Sequence, residues 1–212
     1  MRLRRYDGRR AGTGLESPIL LVPPLMVTSE VYDIAPDVSA VARLLEEGVD
    51  VWLCDFGAPE REEGGMERTL DAHVQAVSRA VDYVAELTGH DVHLAGYSQG
   101  GMFCYQTAAY RRSERLASVI TFGSPVDIHR NLPNVGEGAA EQIIQVLQKV
   151  LEKPLEHIDG LPGFMSSTAF KLVSLRKELT QIGDFVAKLH DRQALEKRES
   201  RRRFLGGEGF VA

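Results

Sequence analysis

A serine stands between two glycines at Gly96-Tyr97-Ser98-Gln99-Gly100, with another glycine, Gly101, directly behind. A serine hydroxyl is a weak nucleophile until its surroundings activate it. A sharp strand-to-helix turn does part of this work. Glycines at the flanking positions let the backbone fold back on itself, and Oγ is left standing clear of the chain. The helix that starts at Gln99 turns its positive end toward the reacting oxygen. The chemistry such a turn serves is attack on an acyl carbonyl. Gly-x-Ser-x-Gly alone is a weak signal, because small residues recur by chance. Its context makes it specific: Val92-His93-Leu94-Ala95 reads as a strand just before it, and a helix to about Arg112 follows. The bland alternative is a plain glycine-rich turn.

An acyl-transfer serine also needs amide donors aimed at the oxyanion. One is the backbone N–H of Gln99, the residue after the nucleophile. The other comes from the loop after an earlier central strand. Here that loop is Pro23-Pro24-Leu25-Met26. The two prolines carry no N–H, so the donor is Leu25 or Met26, and Leu25 is preferred. The alternative is that these residues only pack the floor of the site.

The base and the acid are harder to place. In this type of site they follow the serine in the order Asp or Glu, then His, at the ends of later strands. His129, His157 and His190 follow Ser98, but none comes after a predicted strand. They read as surface or cap-packing residues. Asp127, just past the last predicted strand, could supply an acid, although a turn or hinge role suits it better. His73, His90 and His93 precede the serine and read as structural. The expectation is that the triad Asp and His lie beyond residue 212 and that the chain is an N-terminal portion.

The elements that must position Ser98 alternate in the first part of the chain. An early edge strand is expected around Tyr6. Ile19-Leu20-Leu21-Val22 is a short apolar run of the kind buried on both faces of a sheet. A helix is expected from about Pro36 to Glu47, closed by Gly48, then a strand at Val51-Trp52-Leu53-Cys54. Leu70, Val74, Val77, Val81 and Val84 form one helical stripe, which Gly89 ends. Ala117 to Phe122 is the last predicted strand. This order predicts a mostly parallel sheet with right-handed crossovers, and with the serine turn it predicts an α/β-hydrolase fold. From Gly138 onward the pattern gives helices and no further strand. Residues 1–130 are therefore assigned to the N-terminal part of the core and residues 131–212 to a helical cap, in a fold incomplete at its C-terminus.

The bulk numbers exclude some alternatives. Hydrophobic residues make up 43%, enough to bury a real core. A net charge of −5 gives no argument for nucleic acid as a partner. The arginines cluster near the two ends and read as solvated faces rather than a basic patch. Two cysteines, Cys54 and Cys104, make no disulfide framework. No apolar run approaches the ~20 residues that span a membrane. The run from Pro18 to Val27 has no signal-peptide cleavage site behind it, so a cytoplasmic location is expected. No metal or cofactor is expected. Peripheral contact with lipid and the oligomeric state are left open.

Several of these segments resemble polyhydroxyalkanoate synthases. Pro18 to Pro24 is similar to their first core strand. Val51-Trp52-Leu53-Cys54-Asp55-Phe56-Gly57 is similar to a strand that ends there in Asp-Trp-Gly. Gly96-Tyr97-Ser98-Gln99-Gly100-Gly101 resembles their Gly-Tyr-Cys-Gln-Gly-Gly turn except at the nucleophile. Leu161 to Met165 and the stretch from Leu189 to Phe210 resemble their cap. The resemblance implies acyl transfer through a covalent acyl-enzyme, with acyl-CoA thioesters as substrates and an Asp and His well beyond the turn. Serine in place of cysteine favours hydrolysis or simple acyl transfer over polymerisation. In this the chain resembles more closely the actinobacterial lipase-like domains that carry a serine turn. Two rival readings are a polymerase with an altered nucleophile and a catalytically silent subunit or scaffold.

Overall fold

The computed structural model describes residues 1–6, 16–25, 29–35 and 38–127, with Gln142, Gln145, Val146, 161–162 and 210–211 beyond them. The elements run β1 (Arg2–Tyr6), β2 (Ile19–Val22), a 3₁₀ turn (Ser29–Tyr32), α1 (Ala40–Glu46), β3 (Val51–Asp55), a second 3₁₀ turn (Pro59–Arg61), α2 (Leu70–Thr88), β4 (Val92–Tyr97), α3 (Gln99–Arg111), β5 (Leu116–Phe122), β6 (Leu161–Pro162) and β7 (Phe210–Val211).

The first five strands form one sheet in the order β1-β3-β2-β4-β5. Strands β2, β3, β4 and β5 are parallel, as the alternation of strand and helix predicts. Strand β1 is the early edge strand and runs antiparallel to β3. Its arginines are not a free basic face. Arg4 is bonded to Asp55 and Arg5 to Asp50, both on or beside β3. Arg5 also lies over the Trp52 ring, 5.0 Å from its centroid.

Alternation along the strands divides the core into two layers. Leu20, Val22, Trp52, Cys54 and Leu94 face α2 and α3, where Val77, Val81, Val84, Phe103 and Cys104 meet them. Ile19, Leu21, Val51, Leu53 and Ala95 face the other way, toward Val41 and Tyr32. Every residue of β2 and β3 is buried, because helices or loops cover both faces. Each fully buried Leu or Val stabilises the fold by about 1.5–3 kcal/mol relative to exposure.

Three expectations need correction. Helix α1 begins at Ala40 and not near Pro36. Ser39 caps it, its Oγ accepting from Ala42 N–H at 2.8 Å, so the helix starts where an orphan amide finds a partner. Gly48 does follow its end, with φ +77°. Leu70 does not belong to the buried stripe of α2, since it is exposed at the first position of the helix. The buried face runs through His73, Val74, Val77, Val81 and Val84, and Gly89 closes the helix in a left-handed conformation with φ +75°. Finally, the tail is not without strands. A short antiparallel pairing joins Leu161 to Val211 and Pro162 to Phe210. The remainder of the expected cap, and with it the division at residue 131, lies outside the described residues. Gln142, Gln145 and Val146, within the expected cap, are helical.

Candidate active site

Ser98 sits between the end of β4 and the start of α3, with φ +53° and ψ −121°. A non-glycine residue held there costs on the order of 1–3 kcal/mol and persists only where its surroundings impose it. The surroundings here are backbone. A Cβ on Gly96 would lie 2.4 Å from the Gly100 carbonyl, and a Cβ on Gly100 would lie 2.0 Å from the Val22 carbonyl oxygen. One on Gly101 would lie 1.9 Å from Ser124 Oγ. Only glycines allow α3 to start this close to β2 and β4. Ser98 N–H donates to Phe122 O at 2.8 Å, and Gly101 N–H donates to Ser98 O at 3.1 Å. The turn is thus pinned from β5 and from its own helix, and Ser98 itself is half-buried.

The loop after β2 lies alongside. Val22 pairs with Gly96 across the β2–β4 ladder, and Pro23, which has no N–H, ends that ladder. Tyr32 fills the gap. Its hydroxyl donates to Val22 O and accepts from Tyr97 N–H, both at 2.8 Å. Burial pushes its phenol above the usual range, so the proton it donates is retained. This tie joins the end of β2 to the end of β4. Sequence reasoning missed it, because a lone tyrosine in a short turn carries no signal.

Leu25 and Gln99, the two residues expected to supply oxyanion donors, are brought together. Leu25 N–H donates to the Gln99 side-chain oxygen, Oε1, at 3.0 Å. Gln99 is the first residue of α3, at the helix end that favours negative charge.

A cavity of about 200 Å³ opens beside the loop at the carboxyl ends of β2 and β3. Pro24, Leu25, Asp55, Phe56, Arg68 and His73 contribute to its wall, and Ser98 does not. Leu25 connects it to the serine turn. Asp55 organises the β3 end of the cavity, accepting from Gly57 N–H at 3.0 Å and from Arg4. Arg68 donates to Phe56 O at 2.8 Å and bonds Glu62, whose carboxyl it holds below the usual range.

Of the histidines before the serine, His73 and His93 make contacts inside the fold, and His90 is exposed. His73 Nδ1 lies 2.8 Å from Thr69 O, and its ring stacks on Phe103. Burial holds its pKa below the usual range. His93 Nδ1 lies 2.8 Å from Ser118 Oγ. Cys104 is fully buried in α3, and burial pushes its thiol up, so it is a core residue. Cys54 is likewise buried, its thiol pushed up to about 12. Asp127 is exposed beyond β5. His129, His157 and His190 lie outside the described residues.

Residues 19–207 match the alpha/beta hydrolase family. The chain belongs to that family. Its curated relatives include the poly(3-hydroxyalkanoate) polymerase subunit PhaC of three organisms. It is 37% identical to that of Haloferax mediterranei over 111 residues, covering 51% of this chain and 22% of the relative. It is 34% identical to that of Allochromatium vinosum over 128 residues, covering 59% and 35%. The corresponding values for Thiocystis violacea are 32% over 127 residues, with 59% and 35% covered. The chain therefore spans roughly a fifth to a third of the length of these relatives. Among solved structures it is similar to a monoacylglycerol lipase from Paleococcus ferrophilus (20% identity, TM-score 0.46, 76% of this chain and 54% of that one). Among the described residues no helix is long and apolar enough to cross a membrane.

Proposed function

We propose that the chain carries the nucleophilic part of a serine-dependent acyltransferase or esterase acting on acyl esters or acyl-CoA thioesters. The observation that carries this reading is the strained Ser98 at the junction of β4 and α3, with φ +53° and backbone-enforced glycines on either side. Ser98 Oγ attacks the acyl carbonyl, and a base takes its proton. Gln99 N–H and Leu25 N–H hold the oxygen that becomes negative. A histidine base and a carboxylate that orients it complete the triad. The acyl-enzyme then passes its acyl group to water or to an alcohol acceptor. The place of action is the cytoplasm, where acyl-CoA is the thioester at hand, with peripheral contact with lipid where the substrate is a lipid ester.

A second reading is polymerisation of hydroxyacyl-CoA. The likeness to the PhaC subunits supports it. Serine at position 98 weighs against it. A thiolate at low pKa is the stronger nucleophile and better suits repeated transfer from thioester to growing chain.

The test is to supply a 3-hydroxyacyl-CoA thioester to the complete protein and follow CoA release and polymer together. CoA release without polymer is the expected result. Polymer from the wild-type protein would establish the second reading. Neither CoA release nor turnover of simple esters would leave a silent subunit or scaffold.

A further inference from the structure

The amide needed for the oxyanion is already engaged. Leu25 N–H donates to Gln99 Oε1 at 3.0 Å. An amide nitrogen carries one hydrogen, so a second oxygen gains full use of it only by displacing the first. The present occupant is a carbonyl oxygen, the same kind of acceptor as the carbonyl of an ester or thioester. It belongs to the residue whose own backbone N–H is the other donor. Pro23 and Pro24 supply no N–H, so Leu25 carries the first amide after β2.

Other contacts besides Gln99 Oε1 hold this loop against the turn. The Tyr32 hydroxyl fixes Val22 O and Tyr97 N–H, Gly100 packs on the Val22 carbonyl, and the Leu25 side chain packs against the core.

We propose that the Gln99 side chain occupies the oxyanion hole of the free enzyme and yields it to the acyl oxygen during reaction. This rests on the reading of Ser98 as nucleophile and Leu25 as donor, and deepens it. The exchange discriminates between ground and transition state. A neutral acyl carbonyl merely replaces one amide oxygen with another of similar strength. An oxyanion makes a charge-assisted hydrogen bond, roughly twice as strong. The occupant therefore opposes binding of the neutral substrate, and the stronger bond to the developing charge more than offsets its displacement.

The test uses the complete protein as wild type, Gln99→Met and Gln99→Ala, titrated with a fluorophosphonate probe. Labelling at Ser98 is read by mass spectrometry, and the probe concentration for half-maximal rate is separated from the limiting rate. Both variants keep the backbone N–H and lose the competing oxygen. The concentration for half-maximal labelling is expected to fall about 2- to 10-fold in both, the equivalent of one net hydrogen bond. An unchanged concentration, or a lower limiting rate, overturns the proposal, since that is what a merely positioning side chain would give. A second measurement needs no variant. In the wild-type protein the NMR signal of the Gln99 side-chain amide is expected to shift when Ser98 is labelled, because its oxygen loses Leu25 N–H. A signal that does not move overturns the proposal while leaving Ser98 as nucleophile. No labelling of Ser98 in any of the three proteins overturns the functional reading and this inference with it.

Discussion

The serine turn and the loop after β2 hold the two halves of the same site by different means. At the turn the restraint is steric. Gly96 and Gly100 meet backbone atoms at distances no side chain tolerates, and Ser98 is driven to positive φ as a result. At the loop the restraint is polar. The hydroxyl of Tyr32 and the side-chain oxygen of Gln99 satisfy groups that Pro23 and Pro24 leave without a ladder. The contrast teaches that Ser98 is fixed by close backbone packing, whereas Leu25 N–H is held by a single side-chain acceptor.

The largest break in this contrast is expected from Gly100→Ala. The added methyl would lie 2.0 Å from Val22 O, so strand and helix must part. Overpacking of this kind costs about 1–3 kcal/mol. A displacement near 1 Å at the nucleophile costs about 10²-fold in rate. Urea denaturation and ester turnover of the complete protein check both halves. Wild-type activity in Gly100→Ala would mean that the close approach is not what places Ser98.

Tyr32→Phe probes the polar side. The ring stays, but Val22 O and Tyr97 N–H lose their shared partner in a buried place. The expected cost is about 1–3 kcal/mol, read as a lower urea midpoint with unchanged slope. A variant as stable as wild type would remove Tyr32 from the account.

A smaller effect concerns His73, buried on the wall of the cavity beside the loop. Burial holds its folded-state pKa below the usual value near 6.5. The unfolded chain therefore takes up this proton first as pH falls. The stability that His73 contributes is complete above about pH 6.5 and declines below it, levelling off beneath the folded pKa. Urea midpoints at pH 7 and pH 5 should differ less in His73→Gln than in wild type. An equal difference in the two proteins would show that His73 does not titrate this way.

The same contrast explains what was legible in the sequence. The turn could be read because its cause is residue type at fixed spacing: glycines where backbones meet and a serine between them, behind an apolar strand. The inner strands could be read because burial on both faces leaves unbroken apolar runs such as Ile19–Val22. The loop was half legible. Two prolines announce missing donors, but the bond from Leu25 to Gln99 spans 74 positions and the one from Tyr97 to Tyr32 spans 65, and such pairings leave no periodic trace. The start of α1 was misplaced because Pro36 and Ser39 are both helix-start signals, and only Ser39 closes a hydrogen bond to an orphan amide. Leu70 was misplaced because spacing alone does not reveal that the first turn of α2 projects past the core.

The central claim is that Ser98 is the nucleophile, and Ser98→Ala in the complete protein tests it most directly. Loss of a nucleophilic serine in a triad enzyme lowers turnover by as much as ~10⁶-fold. Removing one half-buried hydroxyl should change stability by no more than about 0.5 kcal/mol. The expected result is turnover of ester and thioester substrates reduced by at least about 10⁴-fold, with an unchanged melting temperature. Turnover equal to wild type in a folded Ser98→Ala protein would contradict the account.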